Sequence, residues 1–91
     1  MDGLKPYGVP NIFSPNGDGI NDEFWMISYN VEVLNLQVFD RWGALVHDAP
    51  EPWTGYYKNK LMSSDTYIYR FRIRFPDGRE EWAVGDVWLV W

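Results

Sequence analysis

The chain has 91 residues, enough for one domain, with no cysteine, one histidine (His47) and a formal charge of −5. These numbers exclude a disulfide scaffold, a thiolate zinc site, a cysteine nucleophile and a multi-histidine metal cluster. The acid excess also makes the chain a poor generic binder of nucleic acid, where phosphate neutralisation supplies most of the affinity. Six Trp, six Tyr and five Phe point to strands, because bulky aromatics suit a pleated, half-buried surface. No apolar run approaches the ~18–20 residues of a membrane span. Met1, Asp2 and Gly3 lack the basic start and apolar core of a signal peptide, so the sequence reads as cytosolic or as a piece of a longer exported protein.

In chain order, Tyr7 to Phe13 reads as a short strand in which Pro10 marks an edge or irregular position. Ser14 to Asp22 is a loop rich in turn formers, and Phe24 to Tyr29 is a second strand. Val33 to Asp40 is a third, with Leu34, Leu36 and Val38 on one face. Trp42 and Gly43 turn the chain, Leu45 to His47 returns, and Pro50 and Pro52 break the pattern before Trp53. The clearest alternation runs from Thr66 to Phe75. Tyr67, Tyr69, Phe71, Ile73 and Phe75 fall on one face, opposed by Thr66, Ile68, Arg70, Arg72 and Arg74 on the other. A Pro76-Asp77-Gly78 turn then predicts a hairpin with Glu80 to Trp91. There Trp82, Val84, Val87, Leu89 and Trp91 are the apolar positions, and Gly85 breaks the alternation as a bulge would. About seven short strands with turns every 8–12 residues predict an antiparallel β-sandwich.

The loop VPNIFSPNGDGINDEF packs Asn-Gly and Asp-Gly steps between Phe13 and Phe24. One reading is an elaborate turn pinned to the core by those two rings. Another is a calcium loop in which Asn16, Asp18 and Asp22 alternate at oxygen-ligand spacing and Ile20 offers its carbonyl. Ser14 and Trp25 stand where an EF-hand-type loop has acids, so the calcium pattern is partial and no other cofactor is expected.

That same segment resembles the opening of the gliding-motility-associated C-terminal domain, the type B sorting domain of the type IX secretion system. Leu36 to Val46, Trp53-Thr54-Gly55, Ser63 to Tyr69 and Gly85 to Val90 resemble its later blocks, in family order and over almost the whole chain. Asp65 replaces the usual turn glycine, Thr54 replaces the acid after Trp53, and the chain ends at Trp91 rather than at a basic residue. The resemblance implies an immunoglobulin-like sandwich over residues 1–91, a single C-terminal sorting domain of a longer exported Bacteroidetes protein. It implies a folded address label with covalently attached N-terminal cargo, recognised by an outer-membrane component of the secretion machinery. Its destination would be the cell surface or the medium, by way of the periplasm.

Candidate docking residues are Arg41, Trp42, Trp88 and Trp91. Arg41 and Trp42 sit at a strand end, with Trp42 either core or a cation–π partner of an arginine, or with the two as an exposed pair of the kind enriched at interfaces. Trp88 should face opposite to Leu89 and lie exposed, able to dock by strand addition or aromatic insertion. The Arg70, Arg72 and Arg74 stripe reads as a solvated face paired with Glu80 and Glu81. Adjacent acids at Asp22-Glu23 and Glu80-Glu81 point to opposite faces, and nothing flags a nucleophile beside His47, so no enzyme is expected. The competing expectation is a surface module for calcium-assisted adhesion or carbohydrate binding.

Overall fold

The computed structural model describes residues 7–15, 17 and 22–91. Strands follow in chain order as β1 (Tyr7–Gly8), β2 (Ile12–Phe13), β3 (Ile27–Ser28), β4 (Glu32–Phe39), β5 (Leu45–Ala49), β6 (Tyr56–Tyr57), β7 (Lys60–Leu61), β8 (Asp65–Arg74) and β9 (Glu80–Leu89). One sheet holds five of them in the order β2-β9-β8-β4-β5, and β1-β3 and β6-β7 form two short pairs. Every pairing is antiparallel except β2 beside β9. No helix occurs among the described residues, and the fold is an all-β, immunoglobulin-like sandwich.

The predicted hairpin is the spine of the large sheet. Its register runs unbroken from Asp65 opposite Leu89 to Arg74 opposite Glu80. Phe75 and Arg79 close the turn through their backbones, and Gly78 takes the left-handed φ of +90° that the turn requires. Tyr67, Phe71 and Ile73 are buried, as the alternation predicts.

Strand β9 corrects its sequence reading. There is no bulge at Gly85, and the inner positions are Ala83, Gly85, Val87 and Leu89. Trp82 and Val84 therefore face outward, 45% and 61% exposed. The cause lies on the neighbouring strand. Ala83 sits opposite Phe71 and Gly85 opposite Tyr69, so two large rings fill volume that the facing positions must leave free. A Cβ at Gly85 would stand 2.5 Å from the Tyr69 hydroxyl oxygen. Register shifts occur elsewhere, in β4 between Val33 and Asn35 and at Val38/Phe39. Leu34 falls in the first of these, which leaves it half-buried while Leu36 and Val38 are fully enclosed.

The first predicted strand divides at Pro10. β1 pairs with β3 and β2 with β9, so the chain passes from one sheet to the other where proline has no N–H to give. The second shrinks to β3 and a bridge between Phe24 and Trp53. Over the inner face pack Phe13, Phe24, Met26 and Trp53. Phe13 lies 5.8 Å from Phe24 and 5.4 Å from Trp53, and Phe24 lies 5.6 Å from Phe71, all tilted as aromatic quadrupoles prefer. Fully burying such a ring contributes about 2–3 kcal/mol. The two phenylalanines that flank the acidic loop are thus the anchors the sequence indicates.

Candidate functional site

The turn between β4 and β5 is built by one carboxylate. Asp40 Oδ1 accepts the backbone N–H of Trp42 at 2.9 Å and of Ala44 at 2.8 Å. The Asp40 carbonyl accepts the Gly43 N–H at 3.0 Å, and Gly43 adopts a φ of +87°. Asp favours such turns because its short side chain bonds its own backbone. The result is a braced tip that holds Trp42 in solvent, 84% exposed. Of the two structural roles open to Trp42, core placement does not occur. It is instead a loose partner of Arg41, whose guanidinium carbon lies 5.6 Å from the ring centroid.

Arg41 also reaches away from its turn. Its Nη1 donates to Asp65 Oδ2 at 3.1 Å, at the start of β8. The preceding residue, Ser64, accepts the backbone N–H of Trp91 on its hydroxyl at 3.2 Å, and the Trp91 indole N–H donates to the Met62 carbonyl at 2.8 Å. Trp91 stays 57% exposed. Trp88 faces outward as predicted, 56% exposed, with Thr66 opposite it on β8 and Ile12 on β2. The fold therefore brings all four predicted docking residues to one end of the five-stranded sheet. Ion pairing and hydrogen bonding through Ser64 and Asp65 tie Arg41 to Trp91.

The outer face of that sheet carries neighbours that hydrophobic periodicity misses. Ile68 is exposed on the polar side of β8, paired across to Phe39, and Phe39 is paired in turn to exposed Leu45. Ile12 and Trp88 pair on the same face two residues away along β9, with Thr66 opposite Trp88 on β8. The signal was present in Ile68, the one aliphatic residue among the outward arginines.

Farther along the face two arginines of the stripe are paired with acids. Arg72 donates twice to Glu80 Oε1, at 3.0 and 2.6 Å, and Arg74 pairs with Glu32 at 3.2 Å and Glu80 at 3.4 Å. Hydrogen bonds from Arg72 hold the Glu80 carboxyl below the usual carboxylate range, with Arg74 adding to the effect. Glu81 pairs with Arg79 instead, at 3.7 Å. Arg70 takes no acid among the described residues. Its guanidinium lies 4.1 Å over Trp82, a cation–π contact that the outward turn of Trp82 makes possible.

Of the candidate calcium ligands, Asn16, Asp18 and Ile20 lie outside the described residues. Asp22 Oδ1 accepts the Gly17 N–H at 3.1 Å. Asp22 lines a cleft of about 470 Å³ with Pro15, Gly17, Glu23, Thr54 and Tyr56. Thr54, the residue standing where the resemblance has an acid, thus lines the same cleft as Asp22. His47 shares a ring nitrogen with the Glu51 carbonyl at 2.9 Å. Burial pushes the Tyr67 and Tyr69 phenols up, with Asp65 and Asp86 respectively adding to the rise. Tyr67 donates to the Ser63 carbonyl at 2.8 Å. These are structural roles, and the groups left exposed at the sheet end are aromatic rings and a guanidinium.

A family model for the CHU_C Type IX secretion signal domain matches residues 7–89. No curated protein matches the chain.

Proposed function

The chain belongs to the CHU_C Type IX secretion signal domain family, and on that premise we propose that it is a folded C-terminal address label. An outer-membrane component of the type IX machinery recognises it and carries the attached N-terminal cargo outward. The docking surface is the sheet end formed by Arg41, Trp42, Trp88 and Trp91. One observation carries this assignment. Three tryptophans and an arginine, the residue types most enriched at binding hot spots, stand exposed together at one end of a small domain. The turn that presents Trp42 is braced by Asp40 before any partner arrives, which lowers the ordering cost of binding.

No catalytic step enters this reading, because the surface binds and orients without a reactive centre. The cargo reaches the cell surface or the medium. Truncating a hot-spot Trp typically costs 2 kcal/mol or more, about thirtyfold in affinity. Trp42→Ala and Trp88→Ala are therefore expected to leave a fused reporter inside the cell while each variant melts within a few degrees of the parent. Full export of both variants would remove the sheet end from the docking surface.

A further inference from the structure

Strand β9 has an edge that no described strand covers over most of its length. β8 covers one side of it along its whole length, but β2 covers the other only at Trp88 and Leu89. From Glu80 to Val87 no described strand pairs with the outer side. Trp88 and Val90 donate their N–H groups to Asn11 and Phe13, away from β8. By the two-residue period of a strand, the N–H groups of Trp82, Val84 and Asp86 point the same way.

Beside this edge lies a cleft of about 330 Å³, lined by Tyr7, Gly8, Val9, Tyr69, Ala83 and Val84. It exists because the chain leaves β9 at Pro10 to build β1 in the other sheet, and because Ala83 presents only a methyl there. We infer that the edge from Glu80 to Val87 accepts an extended segment of a partner protein as a sixth strand. The segment bonds the outward amides, places an apolar side chain in the cleft and sets a basic side chain against Asp86. Main-chain bonds supply affinity and the cleft supplies specificity in such strand addition.

Charge selects the occupant. The open stretch carries Glu80, Glu81 and Asp86 and no base. Glu80 and Glu81 are already held by arginines, while Asp86 makes no ion pair among the described residues. A second copy is a poor occupant. Antiparallel self-pairing centred on Ala83 would set Glu80 of one copy against Asp86 of the other, and directly opposed like charges destabilise a strand pair. The inference goes beyond the sorting role, since it names a mode of binding along a different stretch from the Arg41–Trp91 end. Its test reads binding, not export.

The probe is an eight-residue peptide alternating valine and lysine, titrated into the 91-residue chain with amide exchange followed by NMR. Controls are a peptide of the same composition in two blocks and one alternating valine and glutamate. The expected result is saturable binding of the first peptide alone, with exchange at Trp82, Val84 and Asp86 slowed at least tenfold. Asp86→Lys should weaken that peptide severalfold. Val84→Pro, which removes an outward amide at an edge where proline is tolerated, should abolish binding. Four outcomes would overturn the inference: no binding at millimolar peptide, equal binding of the block peptide, binding without protection of those three amides, or their protection before any peptide is added. If Val84→Pro fails to fold, the exchange pattern of the parent chain decides alone.

Discussion

Replacing Gly85 by alanine tests how the core is filled. The added Cβ would stand 2.5 Å from Tyr69 Oη, 2.8 Å from its Cζ and 3.1 Å from its Cε2. The ring can shift only toward the cleft beside β9, because it leans on Phe24 at 5.3 Å and Phe71 at 5.6 Å between centroids. Backbone strain plays no part, since Gly85 is not among the glycines with positive φ. Overpacking of this kind costs about 1–3 kcal/mol, and the stiffer unfolded chain returns about 0.4–1 kcal/mol. The net loss is about 1–2 kcal/mol, a fall in Tm of about 5–15 °C for a domain of this size. Thermal and urea melts followed by circular dichroism read it directly. In a Tyr69→Leu background the clash is gone, and the same change should cost less than about 0.5 kcal/mol. Equal cost in both backgrounds, or a stabilising Gly85→Ala, would refute the pairing of Gly85 with the Tyr69 ring.

Trp53→Ala empties the centre of the inner layer, at a site 1% exposed. A loss of about 3–5 kcal/mol is expected from such a truncation, which consumes much of the stability of a 91-residue domain and should abolish the near-ultraviolet dichroism at 37 °C. Asp22→Ala removes the acceptor of the Gly17 N–H and should lower stability by about 0.5–1.5 kcal/mol in urea melts run without added metal. Glu80 has a lowered pKa in the fold, so its pairing stabilises the protein above the ordinary carboxylate pKa. That contribution fades as pH falls through the folded value. Acid melts should therefore decline below about pH 5, and Glu80→Gln should flatten that decline.

Legibility followed the reach of each physical cause along the chain. The face of β8 was readable because Tyr67, Phe71 and Ile73 alternate with arginines within one strand. Arg72 and Arg74 pair with Glu80 across the hairpin as expected, since a tight turn fixes the register, whereas Arg70 stacks on Trp82 and Glu81 pairs with Arg79. β9 was misread because its inner face is chosen by the strand beside it. Ala83 and Gly85 are small because Phe71 and Tyr69 are large, and periodicity within one strand carries no record of that. The division of the first strand at Pro10 was half legible, as an irregular position without its crossing between sheets. At the sheet end, the exposure of Trp88 followed from its parity with Leu89. That Arg41 and Trp91 share the Ser64-Asp65 segment did not, since those residues lie far apart in the chain. The apolar row through Ile68, Phe39 and Leu45 likewise exists only once three strands are aligned.

The most direct test of the sorting role is a fusion. Residues 1–91 are placed at the C-terminus of a periplasmic reporter and expressed in a type IX-competent host and in a matched host lacking the translocon. The account predicts reporter at the cell surface or in the medium of the first host and confined to the periplasm of the second. Reporter retained in the periplasm of both hosts, with the domain folded by its dichroism, would contradict it.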